Sequence, residues 1–292
     1  MSSLAELVEE RVGLSDAAVD QLQAVVGDWQ ILADLSFADL LMFCRDEVTN
    51  QLVVVAQMRP YTAQTFPPDD RPNVQRAFRE GRIIRDGEPD WSTGVPVREE
   101  AIPITFDDEV IAVVTREANL SMVRAPSQLE LTYLQTADEL SAMLSEGSFP
   151  FPGEDPEREL APRVGDGLLR LDPEGVVAYA SPNAISAYRR LGVNDNVVGS
   201  NLASFDLDDV AVLDALADGE PLESEVEARG AVVLRRLLPL TRDHEVLGGL
   251  MLVREVTELR RHERLLLYKD ATIREIHHLS LIHISEPTRR TP

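Results

Sequence analysis

The sequence predicts an α+β fold in two globular parts that end in a long helix, and three observations predict it. Apolar runs of strand length come in pairs, Leu40–Arg45 with Gln51–Met58 and Glu100–Thr105 with Glu109–Thr115, framed by stretches of helical periodicity. The segment 148–163 carries Pro150, Pro152, Pro156, Pro162 and Gly153 among acidic residues, the composition of a linker between domains. Beyond it a strand pair, small helices and three further strands lead into residues 258–278, which contain neither Gly nor Pro.

In the first part, apolar residues at helical spacing run from Leu4 to Val12 and from Ser15 to Leu35, divided by Gly13. Ser15 is of the type that caps a helix start, and Asp16 suits the first turn. Asp46 to Asn50 turns the first strand pair. A long loop around Phe66-Pro67-Pro68-Asp69-Asp70 precedes a short helix near Val74 to Glu80, and Phe106-Asp107-Asp108 turns the second pair. Pro126 opens a helix over Ser127 to Ser145, with Leu129, Tyr133, Leu140 and Leu144 apolar, and Gly147 stops it.

In the second part, Asp166–Asp172 and Val176–Ala180 are strands joined by Pro173-Glu174-Gly175. Ser181-Pro182-Asn183 caps a helix through Tyr188 to Gly192, and Val197–Leu202 leads into a second short acidic helix ending at Gly219. Glu223–Arg229, Val232–Leu240 and Val246–Arg254 complete the strands. In the last helix Leu259, Leu266 and Ile273 recur every seven residues, with Ile276 on the same side and His262 and Lys269 interrupting the seam. That pattern predicts a short dimeric coiled coil on a rod of roughly 30 Å at about 1.5 Å per residue.

Composition narrows the function. A chain of 292 residues with 44% hydrophobic and 27% charged residues buries ordinary cores. A net charge of −23 argues against nucleic acid or an anionic membrane surface as partner. No apolar run has the length of a membrane span and the N-terminus has no signal-peptide pattern, so a cytoplasmic protein is expected. The single cysteine, Cys44, excludes an intrachain disulfide and any multi-cysteine metal site.

The stretch Lys269-Asp-Ala-Thr-Ile-Arg-Glu-Ile-His-His278 resembles the opening of the phosphoacceptor box of PdtaS-type cytoplasmic actinobacterial sensor histidine kinases. Asp34–Met42 resembles the N-terminal domain of the same family, which makes the first part GAF-like. Gly167–Asp172, Tyr179–Ala184 and Val198–Leu202 resemble a PAS domain. Glu255-Val256-Thr257 stands where PAS domains carry Asp-x-Thr, with Glu keeping the charge on a longer arm. The resemblance implies a GAF-like domain at 1–147, a linker at 148–163, a PAS domain at 164–257 and a signalling helix at 258–278. Residues 279–292 depart from the family, which continues Arg-Val-Lys-Asn-Asn-Leu, and resemble translated sequencing-adaptor read-through; a non-native tail is expected there.

The function so implied is the sensor region of a two-component histidine kinase that phosphorylates itself from ATP with Mg and passes the phosphoryl group to a response regulator. The family's regulators carry an RNA-binding antitermination output. The ATP-binding domain is absent from the sequence, so the chain alone is expected to be inactive. The family's boxes place the acceptor directly before the missing Arg, which points to His278; His277 is the alternative, and Glu275, one turn earlier, could orient the ring. A homodimer follows from the seam, and an unidentified small molecule is the expected ligand of either sensor domain. The alternative is a non-enzymatic GAF–PAS binding or dimerisation module coupled to a different output.

Other candidates have plainer readings. His277 and His278 point about 100° apart on a helix and do not readily chelate one ion, so no metal site is expected. Cys44, within Leu40-Leu41-Met42-Phe43-Cys44, reads as a buried thiol. Trp29, Trp91, Phe37 and Phe43 either line a GAF pocket or fill the core. His244 lies in a turn, His283 in the tail, and no phosphate-loop or nucleophile motif supports hydrolase chemistry.

Overall fold

The computed structural model describes residues 4, 8, 11–58, 71–85, 87, 96–119, 127–151, 160–266 and 269. The expected elements at 59–70, at Trp91 and beyond Lys269 lie outside them.

Helix α1 (Asp16–Ser36) begins where expected, with the Ser15 hydroxyl accepting from the Ala18 N–H at 3.3 Å. Strands β1 (Ala38–Arg45) and β2 (Leu52–Met58) pair antiparallel, and Asp46 Oδ1 holds their turn by accepting from Val48 and Thr49 N–H groups. Helix α2 (Pro72–Glu80) follows, then β3 (Val97–Phe106) and β4 (Glu109–Asn119). This hairpin is longer than expected because charged residues alternate into its ends. Helix α3 (Gln128–Glu146) starts one residue later than its sequence suggests. Ser127 is its cap rather than its first residue, in a reciprocal box with Glu130. Gly147 ends α3 at φ 77°, where a Cβ would stand 2.9 Å from the Thr105 carbonyl oxygen. The first sheet has the order β2-β1-β4-β3.

The second sheet comprises β5 (Leu168–Leu171), β6 (Val177–Ala180), β7 (Leu222–Ala228), β8 (Ala231–Arg242) and β9 (Glu245–Glu255), in the order β6-β5-β9-β8-β7, all antiparallel. Strand β5 is shorter than Asp166–Asp172 because both ends serve turns. Asp166 accepts from the Arg163 N–H, and Asp172 accepts from Glu174 and Val176. Helix α4 (Pro182–Leu191) is capped by Ser181. The single acidic helix expected before Gly219 is instead a 3-10 turn (Leu202–Phe205) and α5 (Val210–Asp218). Asp206 and Asp208, at φ 61° and 55°, break the run between them.

Both faces of the second sheet are covered. Leu169, Leu171, Val233, Leu237, Met251 and Val253 pack inward with α4 and α5. The alternate residues Leu168, Leu238, Leu240, Leu250 and Leu252 join one continuous core with Leu22, Trp29 and Leu32 of α1 and Leu140 and Met143 of α3. Helices α1 and α3 therefore lie between the two sheets. On the far face of the first sheet, Leu41, Phe43, Ala101 and Val113 pack against Val74 and Ala77 of α2.

Candidate functional site

The residues that connect the second sheet to the outgoing helix form the first candidate. Beyond β9 the chain is helical over 257–266. The Thr257 N–H donates to Glu255 Oε1 at 3.1 Å, and the Thr257 hydroxyl accepts from the Val232 N–H at 2.9 Å. Glu255 Oε2 receives Arg190 of α4 at 2.8 Å. The glutamate's extra methylene lets one carboxylate reach both the helix start and α4. Arg260 and Arg264 then bond Glu225 and Glu227 of β7 at 2.8 and 2.7 Å, which lays the first turns of the helix along the sheet edge. Arg264 holds the exposed Glu227 carboxyl below the usual carboxylate range. Each such surface pair contributes only about 0.2–1 kcal/mol. Their joint effect is geometric, since the helix cannot turn at its base without losing several of them.

Of the predicted seam, Leu259 and Leu266 are 38% and 62% exposed, and Leu265 is 53% exposed. His262 is exposed, its Nδ1 2.8 Å from the Glu258 carbonyl oxygen. Ile273, Glu275, His277 and His278 lie outside the described residues.

A second group of side chains crosses between the sheets. Asp28 of α1 takes both guanidinium nitrogens of Arg236 on β8, at 3.0 and 2.9 Å. Glu139 of α3 accepts from Arg170 on β5 at 2.9 Å, and Tyr133 meets Tyr179 edge to face with centroids 6.5 Å apart. Asp28 and Glu139 are buried although charged. Sequence reasoning missed all four ionic residues. The available signal was an acid within the buried stripe of each helix and an arginine alternating with leucine in each strand.

Two further polar groups are enclosed. On the inner face of the second sheet Arg235 and Asp209 form an ion pair, with side chains 4% and 3% exposed. Arg235 Nε also donates to the Ser224 hydroxyl at 3.1 Å. Asp209 stands at the N-cap of α5 yet makes no capping bond, because its carboxylate turns inward instead. Its Oδ2 has no hydrogen-bond partner, and burial pushes the carboxyl up against the opposing pull of Arg235. On the first sheet Arg71 bonds both Glu99 and Glu117, which are cross-strand neighbours.

Cys44 is fully buried, and burial pushes its thiol up to about 12, so it is protonated and inaccessible at neutral pH. Trp29 and Phe43 belong to the cores, while Phe37 is 39% exposed and stacks on Tyr133 at 6.1 Å. His244 is an exposed turn residue at φ 67°. Among the described residues no three His, Cys, Asp or Glu side chains are grouped to hold a metal ion. Among them, too, no helix is long and apolar enough to cross a membrane.

Comparison with known proteins joins these features to one family. The family described as the GAF domain of histidine kinase PdtaS matches residues 4–137. The sensor histidine kinase PdtaS of Mycolicibacterium smegmatis is 44% identical over 303 residues, spanning 95% of this chain. The chain belongs to the PdtaS family of sensor histidine kinases. The PdtaS of Mycobacterium tuberculosis is 42% identical over 307 residues. A solved structure titled as the sensor region of a sensor histidine kinase superimposes with a TM-score of 0.73 at 38% identity, covering 89% of this chain and 100% of that one. The chain spans 60% of the length of the two curated relatives. The first sheet and its helices are thus the GAF-like sensor domain of a PdtaS-family chain.

Proposed function

We propose that this PdtaS-family chain is the sensing portion of a cytoplasmic, dimeric histidine kinase. That kinase phosphorylates itself on a histidine and passes the phosphoryl group to a response regulator with an RNA-binding antitermination output. The 44% identity to a sensor histidine kinase across 95% of the chain carries the reading. In it, residues 1–147 form the GAF-like domain, 148–163 a linker, 164–257 a PAS domain and 258–278 the signalling helix. The strand order β6-β5-β9-β8-β7 with α4 and α5 on one face supports the PAS assignment. The contacts of Glu255 and Thr257 support a helix mechanically tied to that domain. Exposed Leu259, Leu265 and Leu266 support a partner helix as their cover.

The chain's own residues do the positioning. A ligand-driven shift in either sensor domain reaches β8 through Asp28–Arg236 and β5, the neighbour of β9, through Glu139–Arg170, and reaches the helix through Glu255 and Thr257. His278 is the assigned acceptor, His277 the alternative, and Glu275 the group that orients the ring. ATP with Mg supplies the phosphoryl group, and no described residue is assigned to hold it. Phosphoryl transfer then depends chiefly on alignment of the acceptor nitrogen with the γ-phosphate.

In the full-length kinase carrying this sensor, His278→Gln should abolish labelling from radioactive ATP while His277→Gln only reduces it. The opposite pattern reassigns the acceptor. Full labelling in both variants would sink the kinase reading and favour a binding module with another output.

A further inference from the structure

Between α1 and the second sheet lies a half-open cavity of about 240 Å³, walled by α1, by the end of the proline-rich stretch and by β8. That volume lies below the range of about 300–1,000 Å³ typical of pockets for drug-sized ligands, and suits a small metabolite. Ile31 and Val164 contribute apolar lining, and two couples of opposite charge, Asp28 with Arg236 and Asp34 with Arg163, line it too.

The couples differ in one respect. Asp28 and Arg236 are closed on each other in a bidentate pair, with both carboxylate oxygens engaged. Asp34, farther along α1, and Arg163, on the proline-rich stretch, line the same cavity, and among the described residues no ion pair joins them. Gln30, one turn earlier on α1, and Arg163, through space, both favour the charged form of Asp34. Burial pushes the Asp34 carboxyl up, as expected of an acid partly removed from water with no cation in contact. Arg163 is held at its backbone by Asp166, 3.0 Å from its N–H, while its side chain is exposed at the cavity rim.

We infer that this cavity is a binding site for a free α-amino acid, its ammonium group on Asp34 and its carboxylate on Arg163. A carboxylate and a guanidinium that line one small cavity without pairing suit a molecule that carries both opposite charges. An unaccompanied anion would meet Asp34 and a chain of net charge −23, and an unaccompanied cation would meet Arg163. Charge-assisted hydrogen bonds are shorter and stronger than neutral ones, so a zwitterion gains at both ends where either half gains at one. The side chain would rest on Ile31 and Val164. Because the three walls belong to α1, the interdomain stretch and the second sheet, an occupant fixes their mutual placement. Nothing in this inference depends on kinase activity.

The test is a thermal-unfolding screen of the chain with the common L-amino acids at millimolar concentration. Alongside the best binder run its two halves, the analogue lacking the amine and the analogue lacking the carboxylate. A ligand well above its Kd should raise Tm by several degrees, and neither half should do so. Asp34→Asn and Arg163→Gln should each weaken binding about tenfold or more, the worth of one hydrogen bond to a charged group. The inference is overturned if no amino acid shifts Tm, if either half shifts it equally, or if both variants bind as the parent does. The analogue comparison needs no mutation, so it decides the matter even where a variant folds poorly.

Discussion

Replacing Arg235 with methionine isolates the ion pair enclosed beneath the second sheet. Arg235 and Asp209 are 4% and 3% exposed, and Arg235 is the only described cation on that carboxylate. In the variant Asp209 Oδ1 loses its donor while Oδ2 already has none, leaving a buried charge without compensation. Breaking such a pair costs about 3–5 kcal/mol, a large part of the stability of an ordinary domain. Replacing both partners, Arg235→Met with Asp209→Leu, should recover most of that loss, because desolvation of two charges offsets much of their attraction. Urea unfolding followed by circular dichroism gives both values, with the slope checking that the same surface is exposed. The pH dependence has a defined sign. Asp209 already titrates above its ordinary 3.8, and loss of Arg235 raises it further. A raised carboxyl favours folding below the unfolded value, and that contribution is lost as pH rises through the folded one. The deficit of Arg235→Met should therefore shrink on acidification. A cost under about 1 kcal/mol at neutral pH, or a double variant no better than the single, would refute this account.

Arg236→Ala should cost about 1.5–3 kcal/mol through the buried Asp28 it leaves unpaired. Trp29, adjacent in sequence and 2% exposed, should report the loosened seam as an earlier fluorescence change in urea. Thr257→Val removes the acceptor of the Val232 N–H, and hydrogen exchange over 257–266 should quicken while the cores stay protected. Leu266→Asp should convert a dimer to a monomer in sedimentation; unchanged association would move the interface elsewhere. Cys44 should resist alkylation in the native protein at pH 8 and react on addition of denaturant, as a thiol pushed to about 12 and fully buried requires.

Much of the architecture was legible in the chain because its cues are local. Ser15, Ser127 and Ser181 each cap the helix whose start they marked, and paired apolar runs became the expected hairpins. What escaped were features set at long range. Periodicity tells that Leu238 and Leu240 face the opposite side of β8 from Leu237, but not that α1 and α3, far earlier in the chain, cover them. Asp28 and Glu139 look like ordinary solvated acids until Arg236 and Arg170 arrive from the second sheet. Asp209 has the residue type of a cap and is turned inward by an arginine on a later strand. Glu275, His277 and His278 were legible only through family resemblance.

The placement of α1 and α3 between two sheets has a thermodynamic corollary. A single helical layer shared by both sheets leaves neither with a private state: any displacement of α1 or α3 is felt by both. If an occupant of one side changes the affinity of the other by some factor, the second must change the first by that same factor. Two stimuli reaching this protein would thus be read as one composite quantity, weighted by their joint occupancy, rather than as independent inputs summed at the helix.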